Sequence, residues 1–217
     1  MLQMATPAFS FNPYIQTSAA GMFTIESDGF VVGTAMPDPA TRFALAGGWL
    51  ATTETIPMFG GIAVSELIPT ERSTSPATPT RPDIALGSVI ARATTLAAGA
   101  GTTTGFSVFD QNYAAVNTPT SPVPTIGSGG LVNFYRLGSG ARVVLAIDPA
   151  LVTLEGGLIN QQVSWDFSAQ RIIAFATNAL AVKILQVKSS GCMRPVYTSG
   201  TGLTTWNYND AAALVVL

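Results

Sequence analysis

The sequence predicts an all-β fold, a sandwich or barrel-like domain with an extended N-terminal arm and Pro/Thr-rich loops. Three observations predict it. Short runs rich in Val, Ile, Phe, Tyr and Thr recur along the 217 residues, and these residue types suit a pleated, half-buried surface. Turn residues separate the runs at short intervals, the spacing of sandwiches and barrels. One unit, 129–147 (GGLVNFYRLGSGARVVLAI), reads as a complete β-hairpin.

Taken in order, 1–21 reads as an arm carrying Phe9, Phe11 and Tyr14, and 22–217 as the β-rich domain, with any division into sub-lobes falling near 111–128. Strands are expected at 30–34, 43–51, 61–67, 84–93 and 105–109. In the hairpin, Leu131, Asn133, Tyr135 and Leu137 share one face and Val132, Phe134 and Arg136 the other. Gly138-Ser139-Gly140 supplies its turn, 141–147 its second strand, and Asp148-Pro149 ends it. Further strands are expected at 162–167, 170–176 and 182–187, with Gln, Arg, Ala and Leu making a short helix the competing reading of 168–180. Two segments, 68–83 and 116–128, are rich in Pro, Thr and Ser and read as long loops, because proline cannot continue a central strand. The arm and the apolar tail 211–217 are expected to pair with neighbouring chains.

Composition then narrows function. Ten basic and twelve acidic residues leave a net charge of −2, so the surface as a whole does not suit a polyanion, and no direct nucleic-acid contact is expected. Histidine is absent, which removes Ser-His-Asp and Cys-His machinery and histidine-ligated metals. The single Cys192 can form neither an internal disulfide nor an all-cysteine zinc site. The best uncharged apolar run, 172–182, falls short of the about 20 residues of a spanning helix. The N-terminus carries no charge before Glu26 and no continuous apolar stretch, so no membrane partner and no export are expected.

Charged residues make up 10% of the chain, against about 25% in ordinary soluble domains. Only Lys183 and Lys188 represent lysine, whereas eight arginines are kept. Interfaces show the same bias, losing Lys and Glu while retaining Arg, whose planar fork makes directed contacts. This balance points to a chain that associates, with copies of itself and with another protein.

Catalytic and nucleotide motifs are missing. There is no GxxxxGK[ST], no GxSxG elbow and no EF-hand loop, and the glycine clusters at 127–130 and 138–140 read as strand-end turns. The carboxylates are sparse, and a glycosidase-type pair leaves no sequence spacing to find. Trp49, Trp165 and Trp206 fit core or interface anchors better than a carbohydrate groove. No catalytic, cofactor-binding or metal-ligating residue is assigned, and no cofactor is expected.

Several passages resemble a known group. The segments AGGWLATTETIPMFGGIAVSE (46–66), GFSVFDQ (105–111), NFYRLGSGAR (133–142) and VSWDF (163–167) are similar to tailed-bacteriophage head decoration proteins, also called structural cement proteins. The resemblance implies a β-rich protein made in the host cytoplasm and held on the outer surface of the virion. There it would bind the major capsid protein and help the head withstand its packaged DNA. It implies no catalytic residue. A trimer is the expected oligomer, with a dimer as the alternative. Interface residues are expected at Phe9, Phe11, Tyr14, Arg136, Arg142 and Trp206. Two other functions compete: a head-fibre or tail component that touches host glycan, and a carboxylate-pair glycosidase.

Overall fold

A computed structural model describes residues 30–36, 38–67, 88–109, 116–118, 121–154 and 162–217. In chain order its strands are β1 (Leu45–Leu50), β2 (Ala63–Leu67), β3 (Ser88–Arg92), β4 (Gly105–Ser107), β5 (Val116–Thr118), β6 (Ser121–Thr125), β7 (Leu131–Arg136), β8 (Arg142–Ala146), β9 (Val163–Asp166), β10 (Arg171–Ala174), β11 (Lys183–Thr198) and β12 (Leu203–Val216). Short 3-10 turns at Arg42–Ala44 and Pro149–Leu154 complete the described elements. The chain is all-β. Among the described residues, no helix is long and apolar enough to cross a membrane.

Five strands close a barrel in the order β1-β3-β2-β4-β7. β3 inserts between β1 and β2, parallel to the first and antiparallel to the second. β7 seals the ring by pairing antiparallel with both β1 and β4, which removes the exposed edges an open sheet would leave. Alternation along β7 sorts its side chains as the sequence suggests. Val132 and Phe134 join Leu50, Val64 and Ile90 in one core cluster, while Tyr135 faces a second cluster with Phe106, Leu145 and Trp165. Both faces of β7 are therefore buried.

The second core lies where the barrel meets the rest of the chain. The three-stranded sheet β11-β12-β8 places Val143, Leu145, Ala211, Ala213 and Val215 in that cluster, and its period of two sends Val144, Ala146, Ala212 and Leu214 to the opposite face. The hairpin β9–β10 adds Trp165, whose ring meets Phe106 of β4 edge-on with centroids 4.8 Å apart. Such a pair contributes about 0.5–1.5 kcal/mol beyond its buried area.

Several expectations need correction. β7 and β8 are not a hairpin: β7 belongs to the barrel and β8 pairs with β12. Gly138 and Gly140, with φ of 82° and 74°, turn the chain from one sheet into another. The Leu137 amide donates to Thr104 of the barrel and the Gly140 amide to Leu217 of the sheet. The apolar tail 211–217 is not left for a neighbour, since it forms the end of β12, the middle strand of its own sheet. The segment 116–128 contains the paired strands β5 and β6. The competing helix over 168–180 does not form; β10 occupies part of that span. β11 runs from Lys183 to Thr198, far beyond 182–187, with register shifts that break its alternation. The arm 1–21 and the loop 68–83 lie outside the described residues.

The expected strand at 30–34 reduces to a bridge from Val31 to Met193 followed by a turn. Gly33 explains the break. It has a φ of +88°, and a Cβ there would sit 2.2 Å from the backbone carbon of Gly60. Gly33 also donates its amide to Val144 and accepts from the Phe109 amide, so this close approach ties the segment to sheet and barrel at once. Replacing Gly33 with Ala adds backbone strain and overpacking, each about 1–3 kcal/mol. A chemical-denaturation midpoint for Gly33→Ala is expected to report a loss of about 3 kcal/mol, and an unchanged midpoint would contradict the close approach.

Candidate functional site: an arginine-lined cleft

The β9–β10 turn, 167–170, is the structural centre of the site. Asp166 opens it by accepting hydrogen bonds on Oδ1 from the Ser168 and Ala169 amides, at 2.8 and 2.9 Å, as Asp favours in turns. Gln170 closes it in the left-handed region, with a φ of 49°, a conformation that costs a residue with a Cβ about 1–3 kcal/mol. Its side chain holds that conformation from two directions. Oε1 accepts from the Ala63 amide of β2 at 3.1 Å, and Nε2 donates to the Phe167 carbonyl at 2.7 Å.

Arg194 grips the same turn from the opposite side. One guanidinium nitrogen donates to Asp210 Oδ2 at 3.0 Å and another to the Ala169 carbonyl. The register shift between Cys192 and Arg194 separates this part of β11 from strict alternation, as a bulge does when it re-aims a side chain. Both ionic partners are buried. Burial is the largest influence on the Arg194 guanidinium and lowers its pKa; the Asp210 hydrogen bond acts in the opposite sense, and the nearby charge of Arg171 lowers it further.

Two more arginines face the same cleft, which has a volume of about 710 Å³. Arg92 donates to the Pro57 carbonyl at 2.7 Å, and its guanidinium carbon lies 5.7 Å from the Phe59 ring centroid. Its Nε is 4.0 Å from Glu54 Oε2, an ion pair too long to be a hydrogen bond. Burial, ahead of the opposing influence of Glu54, lowers the Arg92 pKa. Arg171 sits directly across the β9–β10 ladder from Asp166. That carboxylate is turned into the 167–170 turn, and among the described residues Arg171 has no ion pair within 4.0 Å. The Nε atoms of Arg92 and Arg171 are both buried without a hydrogen-bond acceptor among the described residues. Phe59, Ile62, Phe167, Val196 and Tyr197 give the cleft apolar and aromatic walls.

The residues singled out from sequence fall elsewhere. Arg136 forms a bidentate pair with Glu66, at 2.8 and 2.7 Å, and lies 5.5 Å over the Phe134 ring. The Glu66 hydrogen bond raises its pKa. Arg142 is exposed at the start of β8. Trp206 is buried in its own chain, 5.9 Å from the Phe109 ring. Trp165 is buried as well, and Trp49 is partly exposed. Phe9, Phe11 and Tyr14 lie outside the described residues. Among the described residues, every carboxylate is engaged: Glu54, Glu66 and Asp210 with arginines, and Asp38, Asp148 and Asp166 with backbone amides of their own turns.

No family model matches the chain, and no curated protein or solved structure matches it significantly.

A second surface feature lies beside the start of β1 and the end of β7. Met36, Phe43, Leu45, Val108, Phe109 and Tyr135 line a groove of about 660 Å³. Phe43 is 93% exposed and Met36 47%.

The two arginine pairs differ in consequence. Removing Asp210 leaves Arg194 charged and buried, which costs about 3–5 kcal/mol; the Arg136–Glu66 pair has an Arg136 side chain 52% exposed and contributes about 1 kcal/mol or less. Equilibrium unfolding is expected to show Asp210→Ala strongly destabilised and Arg136→Ala nearly native. Equal effects would contradict this ranking.

Proposed function

We propose that the chain is a bacteriophage capsid decoration protein. It binds the outer face of the major capsid protein and stabilises the DNA-filled head, as a trimer at three-fold sites or, alternatively, as a dimer at two-fold sites. The resemblance of 46–66, 105–111, 133–142 and 163–167 to structural cement proteins supports this reading. So does the charge content of 10%. A protein that exchanges solvent for capsid surface loses lysine and keeps neutral polar groups and arginine.

One observation carries the proposal. Phe43 stands almost fully exposed beside Met36 over an apolar groove, and an aromatic side chain held in water with an apolar groove beneath it is the pattern of an interface anchor. In the proposed complex this groove faces the capsid subunit. Closure leaves the barrel itself without a free edge, so at the groove beside it side chains select the partner.

The test adds purified protein to heads of the virus whose genome encodes it, assembled without this gene product. Co-sedimentation at a fixed copy number, with greater resistance of the filled heads to heat, is expected; absence of co-sedimentation contradicts the function. Phe43→Ser is expected to leave unfolding within about 0.5 kcal/mol of native and to weaken head binding by about tenfold or more. Unchanged binding would remove the groove at Phe43 from the interface.

A further inference from the structure

We propose that the cleft between the barrel, the β9–β10 turn and the C-terminal sheet binds a monocarboxylate with an apolar body, its carboxylate taken by Arg171. The inference stands apart from the capsid reading, because its residues do not include the groove at Phe43.

Charge selects the ligand. Arg92, Arg171 and Arg194 line the cleft with Asp210 as the lining carboxylate, and Glu54 lies behind Arg92. Arg194 and Arg92 already serve the fold through Asp210, Ala169, Pro57 and Glu54. Arg171 does not. Its natural cross-strand partner, Asp166, is committed to the Ser168 and Ala169 amides. Among the described residues Arg171 has no ion-pair partner within 4.0 Å, so one carboxylate matches its charge and a phosphate dianion would exceed it.

Geometry points the same way. A guanidinium offers a planar fork that matches a carboxylate with two parallel hydrogen bonds. The Nε atoms of Arg171 and Arg92 are shielded from solvent and have no acceptor among the described residues, so the fold leaves the Arg171 guanidinium unmatched, and a carboxylate in the cleft pairs with its outer nitrogens. Phe59, Ile62, Phe167 and Val196 surround an apolar body, and the volume of about 710 Å³ lies within the range of small-molecule sites. Because Gln170 and Arg194 fix the turn that leads into Arg171, the first residue of β10, the site is formed before the ligand arrives.

The carboxylate can come from a free acid or from a glutamate side chain of a protein. Isothermal titration of the full chain separates these sources, with 3-phenylpropionate standing for the first and N-acetylglutamate α-amide for the second. At least one is expected to bind, and the tighter of the two identifies the source. The neutral 3-phenylpropanamide and inorganic phosphate are expected to bind more weakly. Arg171→Gln, which removes no ion pair of the fold, is expected to melt as the native chain does and to lose binding by about tenfold or more. Arg171→Lys restores little, because an ammonium lacks the fork. If Arg171→Gln does not fold, chemical shifts of the Arg171 and Tyr197 side chains in the native protein report occupancy instead. Failure of both carboxylates to bind, phosphate binding as tightly as the better acid, or full binding by Arg171→Gln overturns the proposal.

Discussion

The buried guanidinium of Arg194 joins parts of the chain that secondary structure alone leaves separate. It sits on β11, pairs with Asp210 of β12 and holds the Ala169 carbonyl of the β9–β10 turn. That turn in turn reaches the barrel through Gln170 and the Ala63 amide. Barrel, hairpin and C-terminal sheet are therefore linked through a few charge-assisted and backbone contacts. The apolar cluster around Phe106, Trp165 and Leu145 supplies the area between them. Hydrophobic burial is non-directional; the arginine, the glutamine and the Asp148 amide, which donates to the Ile172 carbonyl of β10, determine where the hairpin lies on it. The cleft follows from this constraint, because the contacts that hold the turn also hold Arg171 beside Arg92 and Arg194.

The low charge of the sequence acquires a physical meaning in this setting. Arginines 92, 136 and 194 each have a carboxylate of their own chain, and the three turn aspartates hold backbone amides. Much of the small charge complement is thus used inside the molecule. The exposed remainder includes Phe43, Met36, Phe175 and Tyr208, a surface with little electrostatic repulsion to oppose association. The proposed capsid role and the proposed carboxylate site occupy different surfaces, one at the groove beside Phe43 and one at the β9–β10 turn.

The all-β class was legible because it depends on local pattern. β1, β2, β4, β9 and β10 lie within the runs read from sequence, and the alternation of Val132, Phe134 and Tyr135 sorts correctly between two cores. Pairing was not legible. Gly138-Ser139-Gly140 has the composition of a hairpin turn, yet the partners of β7 and β8 lie at 45–50, 105–107 and 203–216. Which strand wins is decided by tertiary burial, a quantity absent from a local window. β12 was missed as a whole because Thr, Asn and Asp weaken the first half of its pattern, and its apolar end, buried on both faces, reads like a free tail. The proline-rich β6 shows that proline bars a residue from donating to a ladder but leaves room for a two-stranded pair. The cleft was the least legible feature. Its arginines stand at 92, 171 and 194, and only the retention of arginine over lysine hinted at sites needing a rigid fork.

Hydrogen exchange at the Ala63 amide tests most directly the claim that Arg194 couples the hairpin to the barrel, since that amide is protected by Gln170 across the junction. Local protection reports the free energy of opening at each site. In Arg194→Met, the amides of Ala63, Ser168 and Ala169 are predicted to lose protection together, while the Leu50 amide, bonded to Gly130 on the far side of the barrel wall, keeps its native rate. Native protection at Ala63 in that variant would show that the hairpin is held in place without Arg194 and would contradict the account.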